Sequence, residues 1–211
     1  LIVGSNGLLG QKVTDLFSRS KNYEILNASV EDKSFLKMNE FLYRHLDITH
    51  RNSVMKLVDD FLPEVIINTA AITNVDLCET ERALAWKVNV VGVENLVHAA
   101  RMVGAKIIHF STDYVFDGRQ RSPYREVDRP GPLSVYATSK PTGEYFVRAI
   151  LERYSLIRSC GLYGVAGIRA KGGNFVETVF RLAVEGHEIH AVGGDQIVAP
   201  TSARELAIRI S

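Results

Sequence analysis

Short apolar runs alternate along this chain with longer stretches whose apolar residues recur every three or four positions. The short runs predict strands over 1–3, 23–27, 65–68 and 106–110. The longer stretches predict helices over 8–18, 51–61, 83–103, 135–153 and 175–185. Strands that alternate with helices build βαβ units, so the pattern predicts an α/β fold with a doubly wound parallel sheet and helices on both faces. The clearest stripe is Trp86, Val90, Val93, Leu96, Val97 and Ala100, which helical spacing places on one face and therefore in the core.

Two stretches break the pattern. Residues 111–134 are rich in Pro, Gly, Arg and Asp, and residues 161–173 hold five glycines. Both follow apparent strand ends, where doubly wound sheets keep their ligand crevice. The chain opens inside an apolar run without a Met. It stops within a helical pattern that Ser202 and Glu205 open with capping-box spacing. It therefore reads as a fragment whose last part is absent.

Composition narrows the classes. With 211 residues and 46% hydrophobic content, the chain can bury a full core. Its 25 basic and 24 acidic residues leave a net charge of +1, which argues against a nucleic-acid partner. No run of about 18 apolar residues occurs, so no membrane span or membrane partner is expected, and no signal-peptide pattern is present. Cys78 and Cys160 give no disulfide framework, which points to a reducing cytoplasm. The six histidines, at 45, 50, 98, 109, 187 and 190, show no metal-ligand spacing, and no metal site is assigned.

The first chemical signal is Gly4-Ser5-Asn6-Gly7-Leu8-Leu9-Gly10, which follows a strand and opens a helix. Glycines there permit a tight turn and a backbone that approaches a pyrophosphate closely. The helix N-terminus adds free N–H groups and the positive end of a dipole. This is a Rossmann-type start with GxxGxxG spacing. An acid that bonds the ribose is expected about 20 residues further on. The second predicted strand stops at Asn27, its tip carries Asn27 and Ser29, and Glu31 and Asp32 come late. A missing acid removes repulsion of a 2′-phosphate, so the reading is NADPH or NADH with the balance toward NADPH; Arg44 or Lys33 is a candidate partner for that phosphate, or a solvated surface charge.

The second signal is Tyr136 and Lys140, which share one helical face. Ketone reduction needs a hydride donor and a proton donor to the carbonyl oxygen. A nearby ammonium lowers a phenol's pKa and suits it to that task. Lysine also holds a nicotinamide ribose. Ser111 and Thr112 end a predicted strand and offer hydroxyls to the same oxygen, or else close a turn. Asn89, on the Trp86 stripe, is either a satisfied core amide or holds a water behind Lys140.

These residues identify a resemblance. The chain resembles the extended short-chain dehydrogenases/reductases, and within them the dTDP-4-dehydrorhamnose reductase family. The carrying segments are Gly4 to Gly10, Asn68 to Asp76 with Cys78-Glu79, Ser111 to Gly118, Tyr136 to Lys140 with Gly143-Glu144, Gly173 to Val176, and Asp195-Gln196 with Pro200-Thr201. The resemblance implies that Thr112, Tyr136 and Lys140 are catalytic. It implies that Gly4, Asn6, Gly7, Leu8, Leu9 and Gly10 hold the pyrophosphate, that Asp47 and Ile48 form the adenine pocket, and that Ala70, Ala71, Thr73, Tyr136 and Lys140 line the cofactor. It implies that Thr73, Val75, Thr112, Asp113, Tyr114, Asn174 and Phe175 meet the substrate. Two departures stand out. Pro141 follows the lysine and is expected to kink the helix, and Cys160 stands where the family often has an aromatic residue or Ser.

The resemblance divides the chain into an NAD(P)-binding Rossmann domain over 1–160 and the start of a small C-terminal substrate lobe over 161–211, interleaved with it. It implies NAD(P)H-dependent reduction of the C4 ketone of dTDP-4-dehydro-L-rhamnose, with a nucleotide-sugar substrate as the small-molecule partner. A homodimer and a Mg²⁺ requirement, each met in part of the family, stay open. Two other readings also stay open. One is another sugar-nucleotide epimerase or reductase of the superfamily. The other is a non-catalytic NADP-binding regulatory subunit like the β subunit of methionine adenosyltransferase.

Overall fold

A computed structural model describes residues 1–36, 42–165, 175–189 and 197–211. Six parallel strands form one sheet in the order β3-β2-β1-β4-β5-β6. They are β1 (Ile2–Val3), β2 (Leu26–Ser29), β3 (Leu42–His45), β4 (Val65–Asn68), β5 (Lys106–Thr112) and β6 (Tyr154–Ser159). The strand order reverses between β1 and β4. This is a Rossmann-like, doubly wound sheet, and its switch point opens a crevice at the carboxyl ends of the strands.

Strand alternation sorts the core into two layers. Val3, Ile66 and Ile107 face one side and pack with Val54 and Val58 of α2 (Arg51–Phe61) and with Leu96 and Val97 of α5 (Val93–Val103). Their neighbours Ile2, Ile67 and Ile108 face the other side. There they pack with Leu9 and Val13 of α1 (Leu8–Phe17) and Leu206 of α8 (Ala203–Arg209). Pairing of Ile2 with Ile67 and of Ile67 with Ile108 keeps each layer continuous. A slip of one residue would turn every one of these side chains to the wrong face.

Local chemistry sets the helix ends. The Ser134 hydroxyl accepts from the Ala137 N–H at 3.0 Å and opens α6 (Val135–Ile150). Asn74 does the same for α3 (Val75–Thr80), at 3.0 Å from the Leu77 N–H. Ser202 caps α8 through the Glu205 N–H, as the capping-box spacing predicts. α6 runs unbroken through Pro141, so the expected kink does not interrupt the face that carries Tyr136 and Lys140.

Several elements differ from the sequence reading. β2 lies three residues later at its start than the predicted 23–27 and ends at Ser29. β3 and β6 were not predicted. Both are sheet edges, and a half-solvated edge strand carries no continuous apolar run to announce it. The predicted helix over 83–103 divides into α4 (Arg82–Trp86), a π-helical segment (Lys87–Gly92) and α5. A π turn inserts an extra residue and shifts the phase of everything before it. Val90, Val93, Leu96, Val97 and Ala100 are buried as predicted, but Trp86 is 44% exposed and lines a surface groove with Leu133 and Val135. α7 (Phe175–Val184) and the short pair β7 (Leu162–Tyr163) and β8 (Thr201–Ser202) complete the described elements.

The glycine loop is held by backbone contact. A Cβ on Gly10 would stand 2.3 Å from the Gly4 carbonyl oxygen and 2.7 Å from Ser5 Cα. Neither atom belongs to a side chain that can move aside. Gly10→Ala is therefore expected to cost about 1–3 kcal/mol or more of stability through overpacking, read as a lowered denaturation midpoint.

Candidate active site

The carboxyl ends of β1, β2, β4 and β5 all open on the same crevice. At β1, Gly4 adopts φ +76°, a region that glycine enters without strain, and the chain turns there into α1. Gly7 caps α1 without any side-chain hydrogen bond. The N–H groups of Leu8 and Leu9 have no acceptor among the described residues. Uncapped donors at the start of a ten-residue helix fit an anionic group such as a pyrophosphate. Asn6 is buried at the loop's centre, and its backbone oxygen accepts from Gln11 Nε2 at 2.7 Å.

β4 leads into Thr69-Ala70-Ala71. The Thr69 hydroxyl donates to the Val3 and Gly4 carbonyls at 2.8 and 3.0 Å, and Asn68 Oδ1 accepts from the Ala70 N–H. This locks the β1 and β4 turns together and leaves Ala70 and Ala71 half-buried at the crevice. Asp47 is half-buried, with its carboxylate on the Thr49 N–H at 2.8 Å. Burial alone would raise its pKa, but the hydrogen bonds from Thr49 hold it below the usual carboxylate range. Ile48 offers only its backbone, because its side chain is buried in the core against Gly92.

Thr112, Tyr136 and Lys140 converge at the end of β5. Lys140 is 3% exposed, and its Nζ donates to the Phe110 carbonyl at 2.6 Å. The two remaining ammonium protons have no acceptor among the described residues, which fits a ribose diol. Tyr136 is buried with the Thr112 hydroxyl close enough to its phenol to favour the phenolate. Thr112 Oγ1 also donates to Asp113 Oδ1 at 3.1 Å and accepts from the Tyr114 N–H at 3.2 Å. Thr112 is thus the hydroxyl that meets the phenol, while Ser111 lies beside the Glu144 carboxylate. The Tyr114 ring meets Tyr136 edge-on at 5.9 Å. Val75 opens α3 and packs against the cluster of Tyr136, Cys78 and Ala85. Thr73 is exposed on the loop before it.

The electrostatics correct one expectation. Burial, with some help from Asp113, raises the Tyr136 pKa to about 12 rather than lowering it. The Lys140 ammonium is itself strained by burial, which pulls its pKa down to about 8 against the charge of Glu144. His109, between Asn68 and Lys140, is held neutral by burial and by that ammonium. A buried ammonium disfavours the fold. Above about pH 8 the folded chain sheds this proton, while an unfolded lysine keeps it to about pH 10.4, so the cost fades as pH rises through that window. Lys140→Met is therefore expected to melt higher than the unaltered chain near pH 7, with the gap closing towards pH 10, in paired thermal denaturation curves.

Asn89 settles as a satisfied core amide. Its side chain accepts from the Ile72 N–H at 2.9 Å, donates to the Ile72 carbonyl at 3.0 Å and donates to Ser139 Oγ at 3.0 Å. It ties the loop beyond β4 to α6. Asn174, His190, Asp195 and the glycines at 167, 172 and 173 lie outside the described residues, and of Phe175 only its place at the start of α7 is described. Cys160 borders the site through a contact with Asp113. Among the described residues, no three His, Cys, Asp or Glu side chains come together as a metal site, and no helix is long and apolar enough to cross a membrane.

Sequence reasoning missed two features. Glu31 is not late. With β2 ending at Ser29, its carboxylate reaches the glycine loop, and Asn6 Nδ2 donates to Glu31 Oε2 at 3.1 Å. The correct register of β2 was the signal that could have found it. The other feature is a buried ion pair, Glu144 with Arg158, which joins α6 to β6. Gly143-Glu144 is visible in the sequence as a motif, but its partner Arg158 stands 14 positions away on another element.

The chain matches known proteins over its whole length. Residues 1–211 match the RmlD substrate binding domain family. The chain is 37% identical over 207 residues to the dTDP-4-dehydrorhamnose reductase of Aggregatibacter actinomycetemcomitans, covering 98% of this chain and 64% of that protein. The crystal structure of a dTDP-4-dehydrorhamnose reductase from Clostridium acetobutylicum superposes with a TM-score of 0.84 at 39% identity, over 99% of this chain and 67% of that one. The Bacillus anthracis dTDP-4-dehydrorhamnose reductase, solved in complex with NADP, superposes with a TM-score of 0.78 at 35% identity, over 99% of this chain and 68% of that one. The chain thus spans about two thirds of the length of these relatives. On its whole-length match, this chain belongs to the RmlD substrate binding domain family.

Proposed function

We propose that the protein carrying this chain reduces the C4 ketone of dTDP-4-dehydro-L-rhamnose to the alcohol of dTDP-L-rhamnose. The observation that carries the reading is the convergence of Thr112, Tyr136 and Lys140 beside an uncapped glycine-loop helix. The relatives named as dTDP-4-dehydrorhamnose reductases support the choice of sugar. A bound reduced nicotinamide supplies the hydride to C4. Tyr136 gives its proton to the carbonyl oxygen, and a phenol with a pKa of about 12 holds that proton at neutral pH. Thr112 orients the oxygen. Lys140 holds the ribose and favours the phenolate left one helical turn away.

Gly4, Asn6, Gly7, Leu8, Leu9 and Gly10 take the pyrophosphate in this reading, and Asp47 with the Ile48 backbone takes the adenine. Ala70, Ala71 and Thr73 line the dinucleotide. Thr73, Val75, Asp113 and Tyr114 face the nucleotide sugar in the same reading, which assigns Asn174 and Phe175 to the substrate as well. Residues 1–160 form the dinucleotide half and 161–211 begin the substrate half, although α8 packs on α1. We place the activity in the cytoplasm, where Cys78 and Cys160 stay reduced.

The test supplies dTDP-4-dehydro-L-rhamnose formed in situ by the preceding epimerase step and follows oxidation of NADH and of NADPH. Turnover is expected. Tight dinucleotide binding without turnover would overturn the reductase reading in favour of a different sugar nucleotide or a regulatory subunit.

A further inference from the structure

Three side chains follow one another at intervals of four along the buried face of α6, and the chemistry proposed above uses two of them. Tyr136, Lys140 and Glu144 are 8%, 3% and 2% exposed. Side chains at that interval lie one above the other on a helix, with Cβ atoms about 5–6 Å apart. Glu144 therefore stands one turn beyond the ammonium, where α6 packs on β5 and β6. Its charge is held in one place. Arg158 of β6 donates from Nε to Oε1 at 2.9 Å and from Nη2 to Oε2 at 2.7 Å, so both oxygens are fixed. An ion pair whose only task is to tie two elements together is replaceable by well-packed apolar side chains, often without loss. The burial of this acid asks for a second reason.

Lys140 supplies that reason, because its own surroundings are short of negative charge. Its Nζ meets a carbonyl dipole, that of Phe110, at 2.6 Å. Across the same layer β5 offers His109, whose Nδ1 takes the Asn68 Nδ2 proton at 3.1 Å and whose ring is neutral. β6 offers Arg158, a second cation. Asp113, after β5, and Cys78, on α3, act on the phenol of Tyr136. α4, the π-helical segment and α5 bury no ionisable side chain. Among the described residues, Glu144 is the one acid whose charge acts on Lys140. Burial already pulls the lysine down to about 8 with that charge in place, so its removal would carry the lysine towards neutrality at the pH where the enzyme works.

We infer that Glu144 is a positioning residue of this site: its buried charge, fixed by Arg158, keeps Lys140 as the ammonium that the ribose and the Tyr136 phenolate require. The inference rests on the reductase reading above. It gives the two members of the ion pair different tasks. Glu144 acts on the chemistry through Lys140, and Arg158 acts on Glu144.

The experiment follows kcat/KM and the affinity for the reduced dinucleotide from acid to alkaline pH, in the unaltered protein and in three variants. Arg158→Met keeps the Glu144 charge, Glu144→Gln removes it, and Glu144→Gln with Arg158→Met removes both charges and leaves neither unpaired. The alkaline midpoint is expected near pH 8 in the unaltered protein. It is expected to stay there or rise in Arg158→Met, and to fall to about pH 7 or below in both variants that lack Glu144. Read at pH 8 against the acid plateau, that is a loss of about fivefold or more. A merely structural role would lower the plateau and leave the midpoint in place. An unmoved midpoint in the double variant would overturn the inference, and so would an equal fall in Arg158→Met. If the unaltered protein bound the dinucleotide without turnover, the reductase reading would fall and the affinity profile would decide: a midpoint that follows Glu144 sustains its hold on Lys140, and an unmoved one overturns it.

Discussion

Tyr136→Phe is expected to lose about 10²–10⁴-fold in turnover while leaving dinucleotide affinity within roughly threefold of the unaltered protein. The ring is 8% exposed and packed with Cys78, Ala85 and the edge of Tyr114, and phenylalanine keeps all of that surface. Only the hydroxyl goes, and with it the proton for the carbonyl oxygen. Thr112 is not stranded by the change, because Asp113 and the Tyr114 N–H still satisfy its hydroxyl. Lys140 keeps its bond to the Phe110 carbonyl and its hold on the ribose. Steady-state oxidation of the reduced dinucleotide beside a binding titration checks both halves, and full turnover in the variant would remove Tyr136 from the chemistry. The pH profile carries a linked expectation. Tyr136 stays protonated to about pH 12, so the alkaline fall in kcat/KM should report the Lys140 ammonium, near pH 8.

Arg158→Met is expected to cost about 3–5 kcal/mol of stability, the largest loss of any single change considered for this fold. The Glu144 side chain is 2% exposed and takes two bonds from the guanidinium, at 2.9 and 2.7 Å. Burial pushes the Glu144 pKa up, and the bonds and charge of Arg158 more than offset it, so the carboxylate is held below its usual range. Without Arg158 that charge is left inside the protein with no hydrogen-bonded cation but Arg148, half-exposed at 3.4 Å, beside the buried Lys140 ammonium. The same guanidinium lies over the Phe116 ring at 5.2 Å, and Phe116 stacks on Tyr124, so the loop beyond Tyr114 loses its seat as well. The substrate's KM is therefore expected to rise. Adding Glu144→Gln to Arg158→Met should restore most of the stability, because a neutral amide costs far less to bury unpaired than a carboxylate. Denaturant unfolding of the single and double variants measures this. A single-variant loss below about 1 kcal/mol would mean that Arg148 replaces the lost partner.

Much of the fold was legible from local pattern. The central strands β1, β4 and β5 are buried on both faces, so each reads as a short apolar run wherever it is met. The helices that cover them declare themselves by spacing and by caps such as Ser202 with Glu205. The edges were not legible. β3 reads Leu-Tyr-Arg-His, which is mostly exposed and shows no apolar alternation. The π turn at Lys87–Gly92 was invisible because the residues on either side of it keep ordinary helical composition, and only packing of Gly92 against Ile48 reveals the altered phase.

By itself, the amino-acid sequence determined the parallel sheet, the glycine loop at its switch point and the Tyr136–Lys140 face, because each depends on neighbours a few residues apart. Tertiary structure alone decided what those residues meet. It put the Phe110 carbonyl on Lys140 across 30 positions, the Arg158 guanidinium on Glu144 across 14, and Asn6 on Glu31 across 25. It also reversed the direction expected for the Tyr136 pKa, since burial, helped by Asp113, pushes the phenol up. The physical reason is common to all of these. Periodicity reports which face of an element is dry, whereas charge, pKa and ligand choice depend on which atoms from distant segments share the same low-dielectric space.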